Sequence, residues 1–132
     1  KAGGIPKIEF VGGVPYEDLP FHCRVGDVFA KPSRSRLAGL EVEGLGIVYL
    51  EASACGLPVI AGNSGGAPDA VRENKTGFGV NGNNIDSIAD AAITLLSNPE
   101  LAIAMGSAGR DWIVKDWSWN LWAAEVAKVL EI

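Results

Sequence analysis

Short apolar runs bounded by glycine and proline alternate along this chain with longer stretches of helical spacing. Ile8, Phe10 and Val11 predict a strand over Lys7 to Val11, ended by Gly12 and Gly13. Pro15 opens a weak helix from Tyr16 to Val25, whose first turn carries Glu17 and Asp18 where negative charge suits the helix dipole. Asp27 to Pro32 reads as a second strand, and Ser33 to Val42 as a polar loop long enough to be functional. From Ile47 to Cys55 nearly every position is apolar or small, the pattern of a helix buried on all sides; Gly56 stops it. Pro58 to Ala61 is a third strand, Gly62 to Pro68 a glycine-rich loop, Ala67 to Glu73 a turn of helix and Thr76 to Val80 a fourth strand. Helices follow over Asp86 to Leu96, Pro99 to Val114 and Trp119 to Ile132, with Asn98 capping the second. Strands alternating with helices indicate an α/β fold with a parallel sheet.

One polar residue breaks the apolar helix. Glu51 has no Lys or Arg within a helical turn, and a buried carboxylate without a donor is unfavourable, so its expected partner is a ligand. The bland alternative is a buried glutamate satisfied by distant backbone amides. Gly44 and Gly46 let the backbone approach another group, and the first amides of the helix, at Gly46, Ile47 and Val48, face outward at its positive end. That is an anion site. At about 1.5 Å of rise per residue, Glu51 lies roughly 6 Å along the axis from Ile47, close to the span from a nucleotide's phosphates to its ribose hydroxyls.

Composition narrows the classes. The 132 residues suit one domain, and 48% hydrophobic with 20% charged residues is globular. No apolar run reaches a membrane-spanning length, and a net charge of −5 argues against a nucleic-acid surface. Cys23 and Cys55 have neither CxxC spacing nor a clustered histidine, which points to a reducing cytoplasm. There is no Asp-x-Asp and no cluster with metal-ligand spacing, so a metal-free site is expected. The only methionine is Met105 and the chain opens at Lys1, the expected look of a piece of a longer protein. Asn74-Lys-Thr76 matches a glycosylation acceptor, read as chance without a secretory leader. His22 reads as a surface or core-edge residue, and Trp112, Trp117, Trp119 and Trp122 as packing rather than sugar stacking. Arg34 and Arg36 are either phosphate or acceptor contacts or solvated loop residues. Gly65 and Gly66 either bring the backbone near a ligand or make a tight turn.

Glu43 and Glu51, with seven residues between them, resemble the E-x7-E motif of retaining GT-B glycosyltransferases, family 4. The segment Ala52-Ser-Ala-Cys-Gly-Leu-Pro-Val-Ile-Ala61 is similar to the family's next strand. The wider segment from Arg34 to Glu51, with Ser64-Gly-Gly-Ala-Pro68 and Trp117-Ser-Trp119, looks most like the branch of actinobacterial phosphatidylinositol-mannoside α-mannosyltransferases. The resemblance implies a nucleotide-sugar donor domain in which Glu43, the residue closest to the reaction, binds hydroxyls of the donor sugar. Gly44 and the amides of Gly46, Ile47 and Val48 would hold the diphosphate, Glu51 the ribose diol, and the Val14 backbone the base. It implies GDP-mannose as donor without a metal, and a glycolipid acceptor held by an N-terminal domain outside this chain. It also implies a cytoplasmic protein, peripheral on the inner face of the plasma membrane when whole, and an inactive isolated chain. A UDP- or ADP-sugar donor within the same family, or a non-catalytic nucleotide-binding or assembly module, stays open.

The family's Rossmann-like sheet is ordered 3-2-1-4-5-6, and the four strands here look like the third to sixth. Lacking the first two, the Lys7 to Val11 strand is expected exposed or displaced unless a second polypeptide or a domain swap fills the gap. The family's Arg and Lys for the diphosphate belong to those absent elements, and its last helix returns toward the N-terminal domain.

Overall fold

The computed structural model describes residues 8–131. Three strands form a parallel sheet in the order β1 (Phe29–Lys31), β2 (Val59–Gly62), β3 (Gly77–Val80). The register sets Phe29 beside Val59 and Val59 beside Gly77. The helices are α1 (Leu19–Val25), α2 (Ile47–Ala54), α3 (Ile85–Leu96), α4 (Pro99–Asp116) and α5 (Trp119–Leu130), with 3-10 turns at Tyr16–Asp18, Leu37–Gly39 and Ala67–Ala70.

Strand alternation sorts the core into two layers. Val59 and Ala61 join Tyr49, Ala52 and Leu57 on the α2 face of the sheet, while Ile60 joins Val80, Leu95, Ala102 and Met105 on the α3 and α4 face. The middle strand is buried at every position, as a parallel strand covered on both faces should be. The fold is therefore α/β, a Rossmann-like parallel sheet flanked by helices.

Local sequence signals start the last three helices within a residue of the expected positions, while α4 runs on to Asp116, two residues past the expected Val114. Asn84, Asn98 and Ser118 each accept from the backbone amide three residues on, at 3.1, 3.1 and 3.4 Å. Glycines bring α4 against the end of α2, for a Cβ on Gly106 would stand 1.9 Å from the Gly56 carbonyl oxygen. Arg110 of α4 donates to the Ala54 carbonyl and closes the C-terminus of α2.

Two expectations need correction. The predicted strand from Lys7 to Val11 does not form: Lys7 lies outside the described residues, and Ile8 to Val11 run as exposed coil. Among the described residues no strand lies alongside for them to pair with. The helix Ile47–Ala54 is not buried all round either. Tyr49, Ala52 and Ser53 face the core, while Ile47 and Val48 are 64% and 37% exposed. The predicted end of the last helix at Ile132 falls outside the described residues.

Candidate functional site

The residues singled out from sequence gather where β1 and β2 end and α2 begins, the rim at which open α/β sheets bind ligands. β1 delivers Lys31, and the chain continues through Ser33 into a loop whose tip turns with positive φ at Leu37, Ala38 and Gly39. Reciprocal backbone bonds between Arg36 and Glu41, 2.8 and 3.2 Å, pinch that loop shut. It returns as Glu43-Gly44, laid against the turn after β2. The Glu43 amide donates to Ser64 Oγ at 3.2 Å, and the Gly66 amide to the Gly44 carbonyl at 2.8 Å. A Cβ on Gly65 would come within 1.8 Å of the Glu43 carbonyl oxygen, and one on Gly66 within 2.5 Å of that of Gly44. These two glycines bring backbone against the loop that carries Glu43.

The Glu43 carboxylate is held from one side. Lys31 Nζ and Ser33 Oγ, the latter at 3.1 Å, both donate to Oε2. The Lys31 bond leads in holding the carboxyl below its ordinary pKa; burial opposes it, and Ser33 and the Gly44 amide add to it. Neither side-chain donor engages Oε1. Ser33 in turn meets the Tyr49 hydroxyl at 2.5 Å, and that hydroxyl lies 2.8 Å from the Lys31 carbonyl.

Gly46 precedes α2 in the left-handed region, φ 73°, and no side chain caps the helix. Its first amides therefore have no side-chain acceptor and lie under exposed residues. Glu51, four residues after Ile47, is half-buried rather than enclosed in apolar surroundings. It receives one long hydrogen bond, from the Tyr16 hydroxyl at 3.5 Å, and no ion pair among the described residues. The contradiction between carboxylate and core that the sequence suggested does not arise, yet a half-buried and almost unpartnered Glu51 is better placed to meet a ligand.

The other candidates divide. Val14 is half-buried in coil ahead of the Tyr16 turn. Arg34 is exposed, and Arg36 lies 3.6 Å from a carboxylate oxygen of Glu41. His22 is exposed on α1. Cys23 and Cys55 are free thiols, and burial first, then the Cys55 thiol beside it, pushes Cys23 up. Trp112 is buried and stacks edge-on with Trp117 at 5.7 Å, which contacts Trp122 at 5.6 Å, so these indoles are packing. Trp119 is 89% exposed. Among the described residues no group of three or more His, Cys, Asp or Glu converges.

Sequence reasoning missed Lys31, Ser33, Tyr49 and Ser64, which together fix Glu43. Lys31 stood at the C-terminal end of a strand, and Tyr49 was the lone aromatic of its helix; both were visible signals. A cleft of about 280 Å³, lined by Asn63, Val71, Glu73 and Asn81, sits further along the same rim and includes none of Glu43, Gly46 or Glu51. Those three are themselves half-buried, and the chemistry of their groups, more than concavity, marks the site.

Comparison with known proteins shows the family. The GDP-mannose-dependent α-(1-6)-phosphatidylinositol monomannoside mannosyltransferase of Mycobacterium tuberculosis is 54% identical over 123 residues, 93% of this chain and 32% of that protein. The corresponding monoacylated-substrate enzyme of Corynebacterium glutamicum is 45% identical over 94% of this chain and 32% of its own length. The chain thus spans about a third of the length of these relatives. Sucrose-phosphate synthase from Thermosynechococcus elongatus superposes with a TM-score of 0.79 at 29% identity, over 93% of this chain and 29% of that one. The family model for glycosyl transferases group 1 matches residues 1–112. The paired glutamates, the strand order and this match make the chain a member of the group 1 glycosyl transferases.

Proposed function

We propose that this chain is the donor-binding part of a longer, retaining mannosyltransferase that moves mannose from GDP-mannose to a phosphatidylinositol-mannoside type glycolipid. The observation that carries the reading is the Glu43 carboxylate, held on Oε2 with no side-chain donor on Oε1, set just before an uncapped helix that bears Glu51. Glu43 receives hydroxyls of the donor sugar, the amides of Gly46, Ile47 and Val48 with Gly44 receive the diphosphate, Glu51 receives the ribose diol and Val14 borders the base. The relatives' donor is taken over from proteins 54% identical to this chain.

In this reading the acceptor hydroxyl attacks the anomeric carbon on the face from which the diphosphate leaves. As the new carbon–oxygen bond forms and the sugar–phosphate bond breaks, the hydroxyl proton passes to the departing phosphate oxygen, and configuration is retained. The protein contributes positioning and fixed dipoles rather than a nucleophile or a metal. The acceptor, and the remaining positive charge on the diphosphate, belong to an N-terminal portion supplied by the rest of the longer protein. That protein works in the cytoplasm, peripheral on the inner face of the plasma membrane, and this chain alone transfers no sugar.

Calorimetric titration of the longer protein with GDP-mannose, GDP, UDP-glucose and ADP-glucose tests the reading. GDP ligands should bind selectively, and Glu51→Ala should weaken GDP about tenfold or more, as loss of charged hydrogen bonds to a diol implies. Glu43→Ala should lower turnover as well as GDP-mannose affinity. Selective binding of UDP or ADP ligands would keep the family and discard the donor; no nucleotide binding would discard the site.

A further inference from the structure

Tyr49 is fully buried in α2, yet its ring and its hydroxyl touch the two halves of the site separately. The ring lies directly against Gly46: a Cβ there would stand 2.4 Å from Cε2, so only glycine fits beside it at the left-handed position that opens the helix. The hydroxyl reaches the other way, to Ser33 Oγ at 2.5 Å and the Lys31 carbonyl at 2.8 Å. Proton bookkeeping fixes the direction of the chain. An ionised Glu43 only accepts, so the single Ser33 proton goes to Oε2, and the one tyrosine proton is shared between Ser33 Oγ and the Lys31 carbonyl, both within its reach. Such a series of hydroxyls ending on a carboxylate is mutually polarised.

We propose that Tyr49 is a positioning residue for donor-sugar binding: its hydroxyl, relayed through Ser33, holds the Glu43 carboxylate in register with the helix start that its ring supports. The inference rests on the reading of Glu43 as the sugar-binding carboxylate. Without the tyrosine hydroxyl, Ser33 Oγ and the Lys31 carbonyl lose the donor they share, and Ser33 Oγ, already 3.4 Å from that carbonyl oxygen, turns its own proton to it. Of its side-chain donors Glu43 then keeps only Lys31, and its orientation toward the sugar is lost while the diphosphate amides stay in place.

The test compares Tyr49→Phe, Ser33→Ala and the double variant in the longer protein, using affinities for GDP and for GDP-mannose together with kcat. Tyr49→Phe keeps the ring; Ser33→Ala removes the relay without touching the core. Each single variant should bind GDP within about twofold of wild type while losing about tenfold in GDP-mannose affinity or in kcat. The double variant should lose no more than either single one, because both cut the same chain. Equal losses for GDP and GDP-mannose, additive losses, or no loss in either single variant would overturn the relay while leaving the donor reading intact. A wild-type protein that binds neither ligand would remove the donor reading and this inference with it.

Discussion

Glu43 owes its state to one cation, one hydroxyl and one backbone amide, against the opposing effect of burial. Because its folded pKa is depressed, chiefly by Lys31, the interaction stabilises the fold fully above the ordinary glutamate value of about 4.3. That contribution is lost as pH falls from there through the lower folded value. Carbon-detected titration of the Glu43 carboxyl should show a midpoint below the ordinary value, and Lys31→Met should return it upward. A midpoint unmoved by that substitution would remove Lys31 as the leading cause. The sequence announced Glu43 and Glu51 through their spacing and the glycines between them. It hid what orients Glu43, since Lys31, Ser33 and Tyr49 lie in separate elements and meet only once β1 and α2 pack together. Glu51 was read as buried because an apolar helix of eight or nine residues does not say which flank has no neighbour.

At the scale of elements, two glycines separate packing from positioning. Gly65 presses on the Glu43 carbonyl and Gly106 on that of Gly56, both closer than any Cβ can lie. Alanine at either should cost about 1–3 kcal/mol of stability, measured by chemical denaturation. Gly65→Ala should in addition weaken GDP-mannose binding, because the loop it displaces carries Glu43. Gly106→Ala, at the far end of α2, should leave the affinity of the remaining folded protein unchanged. A matching loss from both substitutions would mean that Gly65 acts through stability alone. Helix limits were legible because caps are local, as at Asn98 and Gly56. The Lys7–Val11 strand was over-read for the complementary reason: alternation records a local preference, and a strand exists only where a neighbour receives its hydrogen bonds.

Across the whole molecule, burial is uneven. The sheet core is closed on both faces, whereas Phe10, Tyr16, Phe21 and Val25 are exposed near the start and α5 buries none of its residues. With the chain spanning about a third of its relatives' length, these surfaces are the expected seats of the remainder. Trp119 reports on this directly: iodide should quench it readily in the isolated chain and much less in the longer protein. Equal quenching in both would mean that α5 stays uncovered. No single helix among the described residues is long and apolar enough to cross a membrane.

The run of indoles from buried Trp112 through Trp117 to Trp122 gives the same region an optical signature. Rings 5.7 and 5.6 Å apart couple their excited states, and coupling of that kind depends on mutual angle as well as distance. Because Trp112 sits in α4 and Trp122 in α5, a swing of the last helix alters the near-ultraviolet circular dichroism without any added label. The protein thus carries its own spectroscopic protractor for the angle between its last two helices.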